Sequence, residues 1–175
     1  MSVRTVLQHA DITRALTRIS HEILESNRGS DGLVILGIPT RGVTLAHRIS
    51  TIIESVDSAV IPAGALDVTM YRDDLAQNPT RATGPTEIPS GGIDGKTVVL
   101  VDDVLYSGRT IRAALDALGD LGRPRAVRLA VLVDRGHREF PIRADFVGKN
   151  LPSSMEERIN VRLEEIDGAD EVTIG

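Results

Sequence analysis

Residues 98–110 read VVLVDDVLYSGRT. Four apolar residues in a row describe a strand buried on both faces, as in a parallel sheet. Two adjacent aspartates close it, although their charges repel and a core gains nothing from them. A turn of small and hydroxyl residues follows. IRAALDALGDL (111–121) then forms an amphipathic helix, stopped by Gly122 and Pro124. In an open α/β sheet, ligands bind beyond the carboxyl ends of the strands. The acid pair stands where such a ligand would be held.

The rest of the chain repeats the alternation. Asp11 caps a helix running to about Asn27, with Ile12, Leu16, Ile19 and Ile23 on one face. LVILG (33–37) is a second buried strand. GIPTRG (37–42) turns the chain into a helix from about Gly42 to Glu54. AVI (59–61) and ALDVTMY (65–71) read as strands. Residues 72–95 are polar and rich in Pro and Gly, a length that compact domains reserve for functional loops. AVRLAVLVD (126–134) is another buried strand. RGHREFPIR follows as an exposed basic loop, then ADFVG as a short edge strand. The acidic tail from Met155 to Gly175 has room for one or two weak strands. The expectation is one α/β domain over 1–175, with a mainly parallel sheet covered by helices on both faces.

Composition removes several classes of function. There is no cysteine, which excludes disulfides, thiolate catalysis and cysteine zinc sites. The first residues lack the apolar core of a signal peptide, and no apolar run nears the ~20 residues of a membrane span. The reading is a cytoplasmic protein with no membrane partner. Net charge is -5, yet Arg109 to Lys149 holds nine Lys or Arg against five Asp or Glu. An acidic total therefore conceals a basic region, which leaves a nucleic-acid partner open.

The acid pair and its turn have a coherent chemistry. Asp102 and Asp103 accept hydrogen bonds from vicinal hydroxyls. Gly108 lets backbone approach closely, Ser107 and Thr110 offer hydroxyls, and a helix N-terminus receives an anion. A sugar phosphate satisfies both halves. The spacing is neither a P-loop nor a dinucleotide fingerprint. It resembles the phosphoribosyl-diphosphate (PRPP) signature of type I phosphoribosyltransferases. That resemblance implies PRPP contacts from Asp102, Asp103, Val104, Leu105, Tyr106, Ser107, Gly108, Arg109 and Thr110. It implies a diphosphate loop at GIPTRG, with Thr40 and Gly42 offering N–H groups and Arg41 a guanidinium. Residues 72–95 match a mobile loop closing over substrate, with Arg72 reaching the diphosphate. Mg²⁺ would enter with PRPP, its protein ligands not readable from the chain.

The likeness narrows further. ITRALTRISHEI (12–23), LDVTMYRDDL (66–75), VVLVDDVLYSGRT and LVDRGHREFPIRADFVGKNLPSS (132–154) resemble the pyrimidine-operon regulator family. Its members are uracil phosphoribosyltransferases that also bind leader RNA of pyrimidine biosynthesis messages. Two positions depart from the pattern: Ser107 stands where many members have threonine, and Pro39 where some have lysine. The family implies a hood from about 135–154 and a uracil pocket of Asp134, Arg135, Phe146, Val147 and Lys149, with Phe146 stacking on the base. It implies RNA contacts from Arg14, Thr17, Arg18 and His21 on one helix face, and from His137, Arg138 and Arg143 in the basic loop. A homodimer or higher oligomer would join such patches.

The expected function is a UMP-responsive RNA-binding regulator with uracil phosphoribosyltransferase activity. Catalysis would rest on Asp102, Asp103, Arg41 and Arg72. Two alternatives remain open at this level: a regulator that senses PRPP and UMP without turnover, and a plain salvage enzyme for uracil or a purine.

Overall fold

A computed structural model describes residues 2–73 and 85–175. The chain opens with strand β1 (Arg4–Gln8) and helix α1 (His9–Asn27). Strand β2 (Leu33–Gly37), helix α2 (Arg41–Asp57) and strand β3 (Ala63–Ala65) follow. A 3₁₀ turn at Thr69–Tyr71 precedes β4 (Thr97–Leu105), α3 (Arg109–Leu121) and β5 (Ala126–Asp134). The chain continues through β6 (Phe146–Asn150), β7 (Ile159–Arg162), α4 (Glu164–Asp167) and β8 (Glu171–Ile174).

The main sheet has the order β3-β2-β4-β5-β6, all pairs parallel. Alternation along its strands sends side chains to two cores. Leu33, Ile35, Val99, Val101, Ala130 and Leu132 pack with α1, α2 and the apolar residues of the second sheet. Val34, Leu36, Val98, Leu100, Leu129 and Val131 pack with α3 on the other face. Ile12, Leu16, Ile19 and Ile23 of α1 are all buried, as their spacing predicts. Each such side chain contributes roughly 1.5–3 kcal/mol of burial. No helix among the described residues is long and apolar enough to cross a membrane.

A second sheet, antiparallel with order β1-β8-β7, joins the two ends of the chain. Residues 135–154, expected as a hood, form a loop and the edge strand β6. β1 was not expected at all, and the acidic tail proves to be two strands and a short helix.

Several boundaries also shift. Asp11 is not the cap of α1 but its third residue; Gln8 caps, and Gln8 N–H donates to Asp11 Oδ2 at 2.9 Å, one half of a capping box. Residues 59–61 are not a strand, and 65–71 is only the end of β3 followed by the 3₁₀ turn. α2 and α3 extend beyond their expected limits. Of the expected loop at 72–95, residues 74–84 lie outside the described residues.

One register decides where the site lies. β2 ends at Gly37, opposite Val101, while β4 continues to Leu105 beside β5. Asp102 and Asp103 are therefore inside β4, past the end of its β2 neighbour. The chain leaving β2 crosses that vacated edge, with Ile38 N–H donating to Val101 O at 2.9 Å. Gly42 makes this crossing possible: a Cβ there would lie 2.4 Å from Val101 O.

Candidate active site

A cavity of about 280 Å³ opens at the carboxyl end of the main sheet. Ile38, Pro39, Thr69, Arg72, Asp102, Asp103 and Thr110 are among its walls. The peptide joining Pro39 to Thr40 is cis. The loop after β2, the 67–72 segment and the start of α3 thus converge on the acid pair.

The two aspartates occupy different environments. Asp102 is only 9% exposed, and its Oδ1 accepts from Asp103 N–H at 2.8 Å. Burial, and then the neighbouring charge of Asp103, push its carboxyl well above the usual carboxylate range. The Arg72 guanidinium pulls in the opposite direction and is outweighed. Asp103 is partly buried, and its Oδ1 accepts from Val104 N–H at 2.7 Å. One carboxyl is thus held toward its neutral form beside another open to the cavity. Adjacent sugar hydroxyls suit that pair, because the first can donate as well as accept.

The cations are placed by other contacts. Arg72 Nη1 donates to Thr110 Oγ1 at 2.7 Å, tying the 3₁₀ turn to the first turn of α3. Arg41 forks onto Asp167, Nε to Oδ2 at 3.1 Å and Nη2 to Oδ1 at 2.7 Å. Arg41 feels the Asp103 charge as well, and both line a second, larger cleft under the antiparallel sheet.

The turn after β4 is closed from above. Ser107 O accepts from the N–H groups of Glu139 and Phe140 at 2.8 and 3.1 Å. Gly108 caps α3 with a φ of 92°, a left-handed conformation that glycine adopts freely. The first N–H groups of α3 have no intrahelical acceptors, which suits a phosphate. The side chains of this turn diverge. Leu105 is core. Arg109 bridges Asp73 and Glu139 and lies 4.8 Å from the Phe140 ring centre, so its guanidinium clamps the 139–140 loop. Tyr106 carries the Arg135 guanidinium 4.3 Å from its ring centre.

Asp134 and Arg135 line a separate cavity of about 440 Å³, with Gly136, His137, Asn150 and Ser153. Asp134 Oδ2 accepts from Arg138 Nη2 at 2.7 Å, and its Oδ1 from Gly136 N–H at 3.0 Å. Arg135 is 9% exposed and donates to Ser153 Oγ and to the carbonyls of Ser154 and Glu157. Asn150, Ser153 and Ser154 were passed over in the sequence, and their only signal was the 132–154 resemblance.

Three expectations need correction. Phe146 is a core residue packed with Ile23, Leu132 and Ala130, paired opposite Ala130 well below the strand ends, so it cannot stack on a base held near Asp134. The Val147 carbonyl is taken by Arg18 Nη1 at 3.0 Å. Arg138 is not a free loop cation: it is half-buried on Asp134 and on the carbonyls of Tyr106 and Ile142.

Of the remaining basic set, Arg14, Arg18 and His21 are exposed on α1, with Thr17 partly buried. Arg14 pairs with Asp11 at 2.5 Å, and Arg18 bridges Glu22 and the Val147 and Gly148 carbonyls of β6. Lys149, on the same edge strand, is exposed, as are Arg143 and His137.

Residues 2–163 match the phosphoribosyl transferase domain. The chain belongs to the phosphoribosyltransferase family, of the type I, PyrR-like kind. It is 75% identical over 179 residues to the bifunctional protein PyrR of Leifsonia xyli subsp. xyli, covering 99% of this chain and 97% of that one. It is 64% identical over 172 residues to the bifunctional protein PyrR of Streptomyces coelicolor, covering 98% and 89%. Among solved structures, the hypoxanthine phosphoribosyltransferase of Trypanosoma cruzi superposes with a TM-score of 0.74 at 15% identity, covering 98% and 95%. A hypoxanthine phosphoribosyltransferase of Staphylococcus aureus gives 0.70 at 17%, covering 97% and 90%. At those identities the two structures bear on the fold alone.

Proposed function

We propose that this chain transfers a phosphoribosyl group from PRPP to uracil and also binds pyrimidine leader RNA in response to UMP. The observation that carries the transferase half is the acid pair of β4, which lines the cavity past the end of β2 beside Arg72. The 75% identity to a protein named bifunctional supports the second role.

The reaction joins uracil N1 to the anomeric carbon as the bond from that carbon to the diphosphate oxygen breaks, and the N1 proton passes to the departing diphosphate or to water. Positive charge develops on the ribose. Asp102 and Asp103 hold the ribose hydroxyls, and the open carboxylate of Asp103 favours the cationic sugar. The first turn of α3 takes the 5′-phosphate. Arg72 and Arg41 face the departing diphosphate, and the base lies in the Asp134–Arg135 cavity. No protein nucleophile is required, so positioning and electrostatics supply the rate. A carboxylate lining the cleft is an oxygen donor of the kind a hard cation takes, and Asp103, open to the cavity, would hold Mg²⁺ there together with PRPP. Such an ion supplies charge neutralisation and Lewis acidity at the diphosphate.

For RNA, the exposed α1 face supplies Arg14, Thr17, Arg18 and His21, beside Lys149 and Arg143 from the β6 region. Phosphate contacts would give affinity, and unstacked loop bases would give sequence choice. A homodimer would bring two such faces together.

Two assays test the proposal. Turnover of uracil with PRPP, set against hypoxanthine and guanine, checks the reaction. A gel shift with a pyrimidine leader transcript, at two salt concentrations with and without UMP, checks the regulation. A specific complex tightened by UMP is expected; uracil turnover without any specific complex would leave a salvage enzyme.

A further inference from the structure

The exposed face of α1 does not stop at His21. Arg14, Arg18, His21, Glu25 and Arg28 follow one another at three- and four-residue spacing, which places them along one side of a helix. Arg28 is the last residue of that row and caps α1. Beneath it lies a recess of about 330 Å³, bordered by Arg28, Arg125, Arg128 and Thr97 over a floor that includes Leu33 and Val99.

This recess is at the amino-terminal rim of the main sheet. Thr97 begins β4, and Asp102 lies five residues further along the same strand, about 16 Å away at ~3.3 Å per residue. It is therefore separate from the PRPP cleft.

The charge around it is not balanced. Arg28, Arg125 and Arg128 are all exposed, and none has a carboxylate partner among the described residues. Arg41, Arg48, Arg109 and Arg138, by contrast, each hold at least one. Among the described residues only Arg125 of the three is anchored, with Nη2 donating to Thr97 Oγ1 at 2.9 Å. Glu25, one turn before Arg28, is the acid of the row, and its side chain makes no ion pair with any of the three. Three guanidiniums around one recess repel each other until an anion enters. Their planar donor forks match phosphate oxygens.

We propose that the recess of Arg28, Arg125 and Arg128 is a phosphate-binding site, and that it takes a backbone phosphate of RNA lying along α1. The inference rests on the RNA-binding part of the proposed function and extends it. The continuity of the α1 row from Arg14 to Arg28 favours an RNA strand over a free nucleotide as the source of that phosphate.

The test is the double variant Arg125→Gln with Arg128→Gln. Both side chains are exposed at the start of β5, away from the acid pair, so uracil turnover should be unchanged. RNA affinity should fall about tenfold or more, equally for matched and mismatched leader sequences. The slope of log affinity against log salt should shrink by roughly 0.7 for each single-strand phosphate that the variant no longer neutralises. Unaltered affinity and slope in a variant that still folds would overturn the site. If the unmodified protein binds no RNA, the regulatory reading fails on its own. The recess is then judged by the arginine Nε–H resonances on adding UMP or inorganic diphosphate to an Asp102→Asn background. Shifts confined to Arg28, Arg125 and Arg128 would keep the phosphate site and assign it to a free nucleotide. No shift would remove it.

Discussion

The Arg41 guanidinium, at the first turn of α2, grips the Asp167 carboxylate of α4 through two parallel hydrogen bonds of 2.7 and 3.1 Å. Asp167 is in turn held by Leu163 N–H at 2.8 Å, so the C-terminal segment aims the guanidinium that is proposed to meet the diphosphate. In the proposed reading, the Nη1 donors that Asp167 does not take face the diphosphate. Asp167→Asn should raise KM for PRPP about tenfold, or about 1.4 kcal/mol, while kcat changes less. Equal losses in KM for uracil and PRPP would point to general loosening instead.

The neighbouring pair governs acid stability. Arg48 holds Asp170, whose carboxyl is thereby lowered to about 2. A depressed carboxylate stabilises the fold above its unfolded value of ~3.8 and loses that stabilisation as pH falls toward 2. The amount is about 2 kcal/mol. Arg48→Met should lower stability at pH 6 and flatten its decline between pH 4 and 2, as read by urea denaturation. A parallel decline in both proteins would contradict the assignment.

Asp102 acts with the opposite sign. Burial raises its folded value above the unfolded one, so stability is lost as pH rises from the unfolded value to the folded one. Asp102→Asn should melt at a higher temperature than the parent at pH 7, with the advantage gone near pH 4. The same variant should lose PRPP binding. A carboxyl retained at a cost to the fold is expected where function needs it.

Gly42 leaves no room for a side chain against β4. A Cβ 2.4 Å from Val101 O would force the crossing chain off the strand. Gly42→Ala should cost about 1–3 kcal/mol and weaken PRPP binding. Calorimetry and a PRPP titration on one preparation would reveal both; an unperturbed variant would mean that the crossing is loose.

Phe146 distinguishes packing from stacking. Its ring sits in the α1-side core. Phe146→Leu should cost up to about 1.5 kcal/mol and leave KM for uracil unchanged. A KM for uracil that rises tenfold with little loss of stability would return Phe146 to the base site.

What the sequence disclosed was local. The α1 face, the strands at 33–37 and 126–134, and the acid pair each announce themselves within a dozen residues, because burial on a helix or strand imposes a short period. The antiparallel sheet did not, since Arg4–Gln8 pairs with Glu171–Ile174 across nearly the whole chain. Arg41 and Asp167 are 126 positions apart, and nothing near either names the other. Arg138 looked like a surface cation because its charge stood out, while Asp134 four residues earlier absorbs it. Phe146 was read for its aromaticity, when its place in an edge strand under α1 was what mattered.

The pairing of β1 with β8 has a consequence for the order of events on the ribosome. The parallel sheet and its acid pair are complete once β6 has emerged, but β1 must wait for β8, and Arg41 for Asp167. A chain made only as far as Asn150 would already hold Asp102, Asp103 and the turn into α3, while Arg41 lacked its Asp167 partner. Closure of the antiparallel sheet is thus the step that brings Asp167 to Arg41 and fixes the direction of that guanidinium.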